Sequence, residues 1–153
     1  MNEKNTVETN NKNRDPSMQS QELLFIQDLH TFFFTPDGVL KALDGIDLRL
    51  ARGRTLGLVG ESGCGKTVLA LSILRLIPSP PGRIVKGRIN FEGIDLLSLD
   101  ERSIRDIRGN KISMIFQEPM TSLNPVFTIG SQIAEAVLLH RRHGASTRKQ
   151  ALE

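Results

Sequence analysis

Gly60-Glu61-Ser62-Gly63-Cys64-Gly65-Lys66-Thr67 decides how the rest of this chain is read. The stretch fits the pattern G-x-x-x-x-G-K-[ST], in which a glycine-rich backbone turn wraps a phosphate. Before it, Thr55-Leu56-Gly57-Leu58-Val59 is short, apolar and β-prone, and reads as a strand. After it, Val68-Leu69-Ala70-Leu71-Ser72-Ile73-Leu74-Arg75-Leu76-Ile77 has apolar residues at helical spacing. That spacing predicts a helix from about Gly65 to Ile77, stopped by Pro78. Strand, glycine loop, helix is the context that turns a pattern match into a physical claim. The bare pattern arises by chance in roughly one chain of this length in a few hundred.

The residue types explain the chemistry. Gly60, Gly63 and Gly65 allow positive φ angles and let the backbone come within hydrogen-bonding distance of an anion. Successive amides then converge on the phosphates, and the helix N-terminus adds partial positive charge. Lys66 places an ammonium at the β- and γ-phosphates, and Thr67 offers a hydroxyl small enough for an oxygen-rich Mg²⁺ shell. Glu61, Ser62 and Cys64 fill the variable places of the loop. Cys64 is read as a small spacer rather than a reactive thiol.

Composition bounds the alternatives. The chain has 153 residues, 39% apolar and 24% charged, which suits one globular domain. A net charge of +3 with no basic run longer than His140-Arg141-Arg142-His143 argues against nucleic acid as a partner. A His140–His143 metal site loses to a solvated helix end, because two arginines stand between the imidazoles. One cysteine excludes an intramolecular disulfide and suits a reducing compartment. No apolar run approaches the ~20 residues that span a bilayer, and the N-terminus lacks a secretory signal. The expectation is a soluble, cytoplasmic chain.

Taken in order, residues 1–21 are polar and read as a disordered tail. Leu23 to Phe34, the turn Pro36-Asp37-Gly38, and the alternation of Ile46, Leu48 and Leu50 with Asp47, Arg49 and Ala51 predict an antiparallel pair. Arg88–Phe91 and Ile94–Leu96 flank Glu92-Gly93 as a hairpin. Ser98-Leu99-Asp100-Glu101 has capping-box spacing for a short helix through Arg108, closed by Gly109. Lys111–Phe116 reads as a buried strand delivering Gln117. A last helix over about Thr128–Arg142 puts Ile129, Ile133, Ala136, Val137 and His140 on one face, and Ser146 is placed to cap another. Leu96 to Glu101 also superficially resembles an apolar strand ending in an acidic pair. A small P-loop kinase would use such a pair for Mg²⁺ and as a base.

The glycine loop, followed by Met114-Ile115-Phe116-Gln117-Glu118-Pro119-Met120-Thr121-Ser122-Leu123-Asn124-Pro125, resembles the ATP-binding subunit of an ABC transporter. The second segment resembles the glutamine loop of the dipeptide/oligopeptide and nickel importer branch. The resemblance covers about Leu23 to the C-terminus. It implies an α/β P-loop fold of ABC ATPase type, with an N-terminal antiparallel β subdomain and an end within the helical subdomain. The implied organisation is a tail over 1–21, a partial ATPase core over 22–119, and the start of the helical subdomain over 120–153.

By the same resemblance, ATP and Mg²⁺ are held by Gly60 to Thr67, with Thr67 and Gln117 toward the metal. Gln117 is the glutamine whose neutral amide reports nucleotide state. Phe33 stacks on adenine, with Phe32 and Phe34 one residue to either side. Gly53-Arg54 departs from the family's usual Gly-Glu, a change expected to touch solubility more than chemistry. The implied partners are transmembrane permease subunits, a second ATP-binding subunit (identical or paralogous) and, indirectly, an extracytoplasmic peptide-binding protein. The implied place is the inner face of the cell membrane.

No Leu-Ser-Gly-Gly-Gln-like signature follows Gln117, nor a second strand ending in Asp-Glu, nor a switch histidine in a suitable context. No catalytic set is therefore complete here. Two readings follow: the N-terminal part of a peptide-importer ATPase, or a non-hydrolysing nucleotide-binding remnant or regulatory module. A small kinase comes third, and an ABC protein acting on DNA is disfavoured by the importer-type glutamine loop. The family fold also implies that absent strands belong between Thr55–Val59 and Lys111–Phe116, so the chain alone would expose apolar edges.

Overall fold

The computed structural model describes residues 22–117 and 123–140. The predicted tail over 1–21, the prolyl stretch at 118–122, and everything after His140, including His143 and Ser146, lie outside the described residues. The chain divides between Leu97 and Ser98 into two compact units, each taken by itself.

The first unit is built on two long strands, β1 (Glu22–Thr35) and β2 (Gly38–Ala51). Pro36-Asp37 turns between them, and Thr35 Oγ1 donates to the Gly38 carbonyl at 3.0 Å. Helix α1 (Lys66–Ile73) follows the glycine loop, and β3 (Gly82–Phe91) and β4 (Ile94–Asp95) form the expected hairpin about Glu92-Gly93. The sheet order is β2-β1-β3-β4, antiparallel throughout. Leu24, Ile26, Leu29, Leu43, Ile89, Phe91 and Leu96 are buried together with Leu69 and Leu74 of the helical segment.

β1 does not keep one parity. Leu24 and Ile26 are buried at even positions, then Leu29 and Thr31 at odd ones. Asp28, at φ 48°, is the extra residue that makes the switch. Side chains alternate with period two, so one inserted residue moves every later side chain to the other face. That brings Thr31 inward, where its Oγ1 meets Ser72 Oγ at 2.9 Å. Ser72 spends its own proton on the Val68 carbonyl at 2.7 Å, so Thr31 is the donor. Both side chains are fully buried, and the pair ties α1 to β1.

This pair gives a measurable prediction. Ser72→Ala leaves the Thr31 hydroxyl buried without an acceptor and should destabilise the unit by about 1–3 kcal/mol. Adding Thr31→Val to it should recover much of that loss, because the orphaned donor goes with it. A double-mutant cycle by urea unfolding checks this, and additive effects would remove the coupling.

Helix α1 ends earlier than the predicted Ile77. Arg75 adopts φ 52°, its amide donates to the Ser72 carbonyl at 3.0 Å, and the Leu76 amide donates to the Leu71 carbonyl at 2.8 Å. This is the Schellman arrangement, with an arginine in the left-handed position that glycine usually takes. The backbone stops the helix before Pro78 can. Arg75 Nη1 then donates to the Leu96 carbonyl at 3.2 Å.

Two predicted strands are not paired. Thr55–Val59 joins no ladder among the described residues, and Val59 is 95% exposed. Lys111–Phe116 makes only an isolated bridge, Ile112 to Arg108, and Ile115 is 89% exposed. A strand is defined by its neighbours, and neither segment has a strand partner among the described residues.

In the second unit, α2 (Glu101–Ile107) is capped by Asp100, not by Ser98. Asp100 Oδ1 accepts from the Ser103 amide at 2.9 Å. The Ser103 hydrogen bonds hold the Asp100 carboxyl below its ordinary range. Glu101 pairs with Arg108 at 2.6 Å. Both carboxylates of the kinase-like acidic pair are thus engaged in building one helix. Helix α3 (Ile129–His140) opens on Thr128, whose Oγ1 accepts from the Ser131 amide at 3.3 Å. Gln132 folds the preceding turn onto it, accepting from the Asn124 amide and donating to the carbonyls of Asn124 and Phe127. The buried residue of α3 is Ala134, while Ile129, Ile133 and Ala136 of the predicted face are exposed. No helix among the described residues is long and apolar enough to cross a membrane.

Candidate functional site: the glycine loop

The loop leaves β2 through a turn at Arg52-Gly53, passes through the unpaired Thr55–Val59 segment, and enters α1 at Lys66. Gly65 is the residue before the helix, at φ 92°, ψ 1°. A methyl group there would lie 2.7 Å from the Ala42 carbonyl oxygen and 3.0 Å from Leu43 Cδ2. Gly65 thus satisfies two demands, a left-handed backbone and close seating on β2. Gly63 also has positive φ, 82°, but faces open space.

Gly60 differs from the expectation. Its φ is not positive; instead Cys64 Sγ would lie 2.6 Å from a methyl group placed there. The absence of a side chain makes room for the cysteine across the loop. Cys64 itself is exposed, with its sulfur folded back toward Gly60.

Among the described residues, the amides of Gly63, Gly65, Lys66 and Thr67 have no hydrogen-bond acceptor. Helix starts leave such amides open, and here the glycine turn adds further ones beside them. Lys66 Nζ donates to the Gly60 carbonyl at 2.7 Å and the Glu61 carbonyl at 2.6 Å, and lies 3.2 Å from Cys64 Sγ. The ammonium therefore reaches back across the loop to its first two carbonyls and the cysteine sulfur. Thr67 is exposed, and its hydroxyl has no partner among the described residues. Glu61 and Ser62 are exposed at the rim. Open donors, a cation and a free hydroxyl at one turn suit a polyanion carrying a divalent cation.

Phe33 belongs to the same unit. It sits on β1 between Leu40 of β2 and Gly82 of β3, half-buried. A methyl on Gly82 would lie 2.9 Å from Phe33 Cε1 and would overlap Ile77 Cγ2, so the ring packs on the connection after α1. Phe32 instead meets Lys41, whose Nζ is 5.4 Å from the ring centroid, and Phe34 is 48% exposed. Gln117 is exposed and belongs to the second unit, whereas the loop belongs to the first.

Sequence reading missed the Thr31–Ser72 pair and the seat formed by Ala42 and Leu43. A signal for the first existed: Ser72 is the one hydroxyl inside an otherwise apolar helical run. None existed for the second, because Ala42 looks like any small residue in a strand.

The fold and the loop together define a P-loop nucleotide-binding protein with an antiparallel β subdomain. The sequence model of the ABC transporter family matches residues 43–153, and the chain belongs to that family. It is 53% identical over 131 residues to the probable peptide ABC transporter ATP-binding protein y4tR of Sinorhizobium fredii, covering 86% of this chain and 38% of that protein. It is 50% identical over 119 residues to the oligopeptide transport ATP-binding protein AppD of Bacillus subtilis, covering 78% and 36%. This chain therefore spans well under half the length of these curated relatives. A dimeric ATP-binding cassette, MJ0796, solved in a post-hydrolysis state with ADP and Pi, superposes with a TM-score of 0.70 at 23% identity. That match covers 84% of this chain and 54% of the cassette, and it establishes the fold.

Proposed function

We propose that this chain is the nucleotide-binding N-terminal portion of an ATP-binding subunit that couples ATP binding and hydrolysis to peptide import. The observation that carries the proposal is the loop itself: open amides at the start of α1, the Lys66 ammonium folded back on the Gly60 and Glu61 carbonyls, and the Thr67 hydroxyl next in sequence. In this reading the amides of Gly63 to Thr67 and the Lys66 ammonium hold the phosphates, and Glu61, Ser62 and Cys64 shape the turn. Thr67 would offer an oxygen to Mg²⁺ and Phe33 a ring face to the adenine, and Gln117 is assigned toward the metal by the family resemblance alone. ATP supplies a phosphoanhydride bond; these residues bind and orient it. The tail, core and helical start are assigned to 1–21, 22–119 and 120–153.

A task in peptide transport is supported by the similarity to the peptide and oligopeptide transport ATP-binding proteins y4tR and AppD. Permease subunits, a second ATP-binding subunit and, indirectly, a peptide-binding protein are the partners proposed. The place proposed is the cytoplasmic face of the membrane. Exposed Leu56, Leu58, Val59, Ile115 and Phe116 support a larger whole, since a stable isolated unit rarely leaves such segments uncovered.

The test is direct. The 153-residue chain should bind a fluorescent ATP analogue yet release no phosphate above background with Mg²⁺, while the longer subunit releases it. A cellular protein of intact mass 17.0 kDa would favour the non-hydrolysing remnant instead. Turnover by the 153-residue chain that Asp100→Asn abolishes would favour the kinase-like alternative.

A further inference from the structure

Away from the loop, the sheet carries a charged cluster that the nucleotide chemistry does not use. His30 stands at its centre. Its Nε2 lies 2.7 Å from Asp28 Oδ1 and its Nδ1 lies 2.9 Å from Asp44 Oδ1. Lys86 Nζ of β3 reaches Asp28 Oδ2 at 2.6 Å, and Lys41 Nζ of β2 reaches Asp44 Oδ2 at 3.3 Å. Asp47 Oδ1 of β2 accepts from the Asp28 amide at 2.9 Å. Phe32 meets the imidazole edge-on, with centroids 6.0 Å apart. The His30 side chain is 17% exposed, so the cluster is sheltered without being sealed.

The cluster lies where the strands break register. On β2, Gly45 is extra between the pairs Leu29–Ile46 and His30–Asp44, and Ala42 is extra between Thr31–Leu43 and Phe32–Lys41. The β1–β3 ladder slips on both sides of His30–Lys86 as well. A bulge disrupts the ladder locally, so the backbone there is held less firmly by its own hydrogen bonds. The stretch Ala42–Asp44, between two bulges, is also the stretch on which Gly65 rests through the Ala42 carbonyl and Leu43 Cδ2. One side of this stretch seats the loop. The other is fastened by His30.

We propose that His30, clamped between Asp28 and Asp44, is a positioning residue for the phosphate loop, and that its protonation state sets how firmly the β2 seat under Gly65 is held. Carboxylates only accept, so both contacts are hydrogen bonds only when both ring nitrogens carry protons. A neutral imidazole keeps one arm and turns a lone pair toward the other carboxylate. Hydrogen bonds from Lys86 and His30 hold the Asp28 carboxyl below its ordinary range, and those from His30 and Lys41 do the same for Asp44. Both carboxylates therefore stay ionised across the range in which histidines titrate. The clamp is complete when both ring nitrogens carry protons and loses one arm when one of those protons leaves. It fails from the acid side only when pH falls through the lowered carboxylate values. The effect on nucleotide affinity rests on the function proposed above; the effect on the loop backbone does not.

The experiment follows the Gly65 and Lys66 amide resonances and the His30 ring nitrogens of the 153-residue chain from pH 6 to 8, without nucleotide. It then measures the affinity for a fluorescent ATP analogue over the same range, for the wild type and for His30→Gln. The loop amides should move together with the His30 ring as its second nitrogen gains or loses a proton. Wild-type affinity should fall about two- to fivefold further across this range than that of His30→Gln, the size of one sheltered ion pair. The variant carries the pH dependence of the nucleotide's own phosphate. Parallel affinity profiles, or loop amides indifferent to the ring, overturn the proposal. Should His30→Gln fail to fold, the wild-type amides alone decide. Loop amides that follow His30 in a chain binding no nucleotide uphold the clamp and sink the proposed function instead.

Discussion

Lys66→Ala is expected to weaken ATP binding roughly 30- to 1,000-fold while leaving the unfolding midpoint almost unchanged. In the free loop the ammonium donates to the Gly60 and Glu61 carbonyls at 2.7 and 2.6 Å. On the proposed function, binding would exchange those bonds for bonds to phosphate oxygens, which carry full charge. A charge-assisted hydrogen bond contributes about 1.5–3 kcal/mol, and two are gained for two weaker ones given up. A net effect of about 2–4 kcal/mol converts to the range stated. Fluorescent-nucleotide titration checks the affinity, and a thermal melt checks that the loop's own contacts matter little to folding. Retained affinity would contradict the role given to Lys66.

Gly65→Ala carries the largest expected cost to folding, about 2–5 kcal/mol, against about 1–2 kcal/mol for Gly63→Ala. Both residues have positive φ, at 92° and 82°, so each alanine incurs the left-handed penalty of about 1–2 kcal/mol. Only at Gly65 does the methyl also meet a backbone oxygen, at 2.7 Å, and a leucine methyl at 3.0 Å. A backbone carbonyl inside a bulged strand moves only with its strand, and overpacking of that kind adds about 1–3 kcal/mol. Urea unfolding of the two variants side by side is the test. Equal destabilisation would show that φ alone matters and that Gly65 is not seated on β2 as described.

Much of the loop was legible before any coordinates, because its chemistry is local. A glycine that must be left-handed, a lysine one residue on and a hydroxyl after it are specified by neighbours in sequence. The hairpins about Pro36-Asp37 and Glu92-Gly93 were legible for the same reason: turn residues dictate turns. Gly60 shows the limit. Its glycine is needed not for its own φ but because Cys64 folds across the loop, and no pattern of glycines carries that information.

The helix ends were half legible. Asp100 and Ser98 both have the chemistry of a cap, and the choice fell to the residue whose side chain meets the Ser103 amide. Arg75 has no sequence signature of a helix stop, yet it stops α1 before Pro78 does. Likewise the apolar pattern of α3 suggested a face on Ile129 and Ile133, whereas Ala134 is the residue 1% exposed. Periodicity shows that a helix is amphipathic; which stripe is covered depends on what packs there.

What the sequence by itself determined is the glycine turn that opens α1 and the family, since these rest on residue types at short spacing. Tertiary structure alone decided the pairing of β1 with β3 and the seat of the loop. Thr55–Val59 and Lys111–Phe116 have strand composition, but a ladder requires a partner, and partners come from distant parts of a chain. The parity switch at Asp28, the bulges at Ala42 and Gly45, and the buried bond from Thr31 to Ser72 arise from the same cause. Each is a contact between residues far apart in sequence, set by three strands and one helix packing at once.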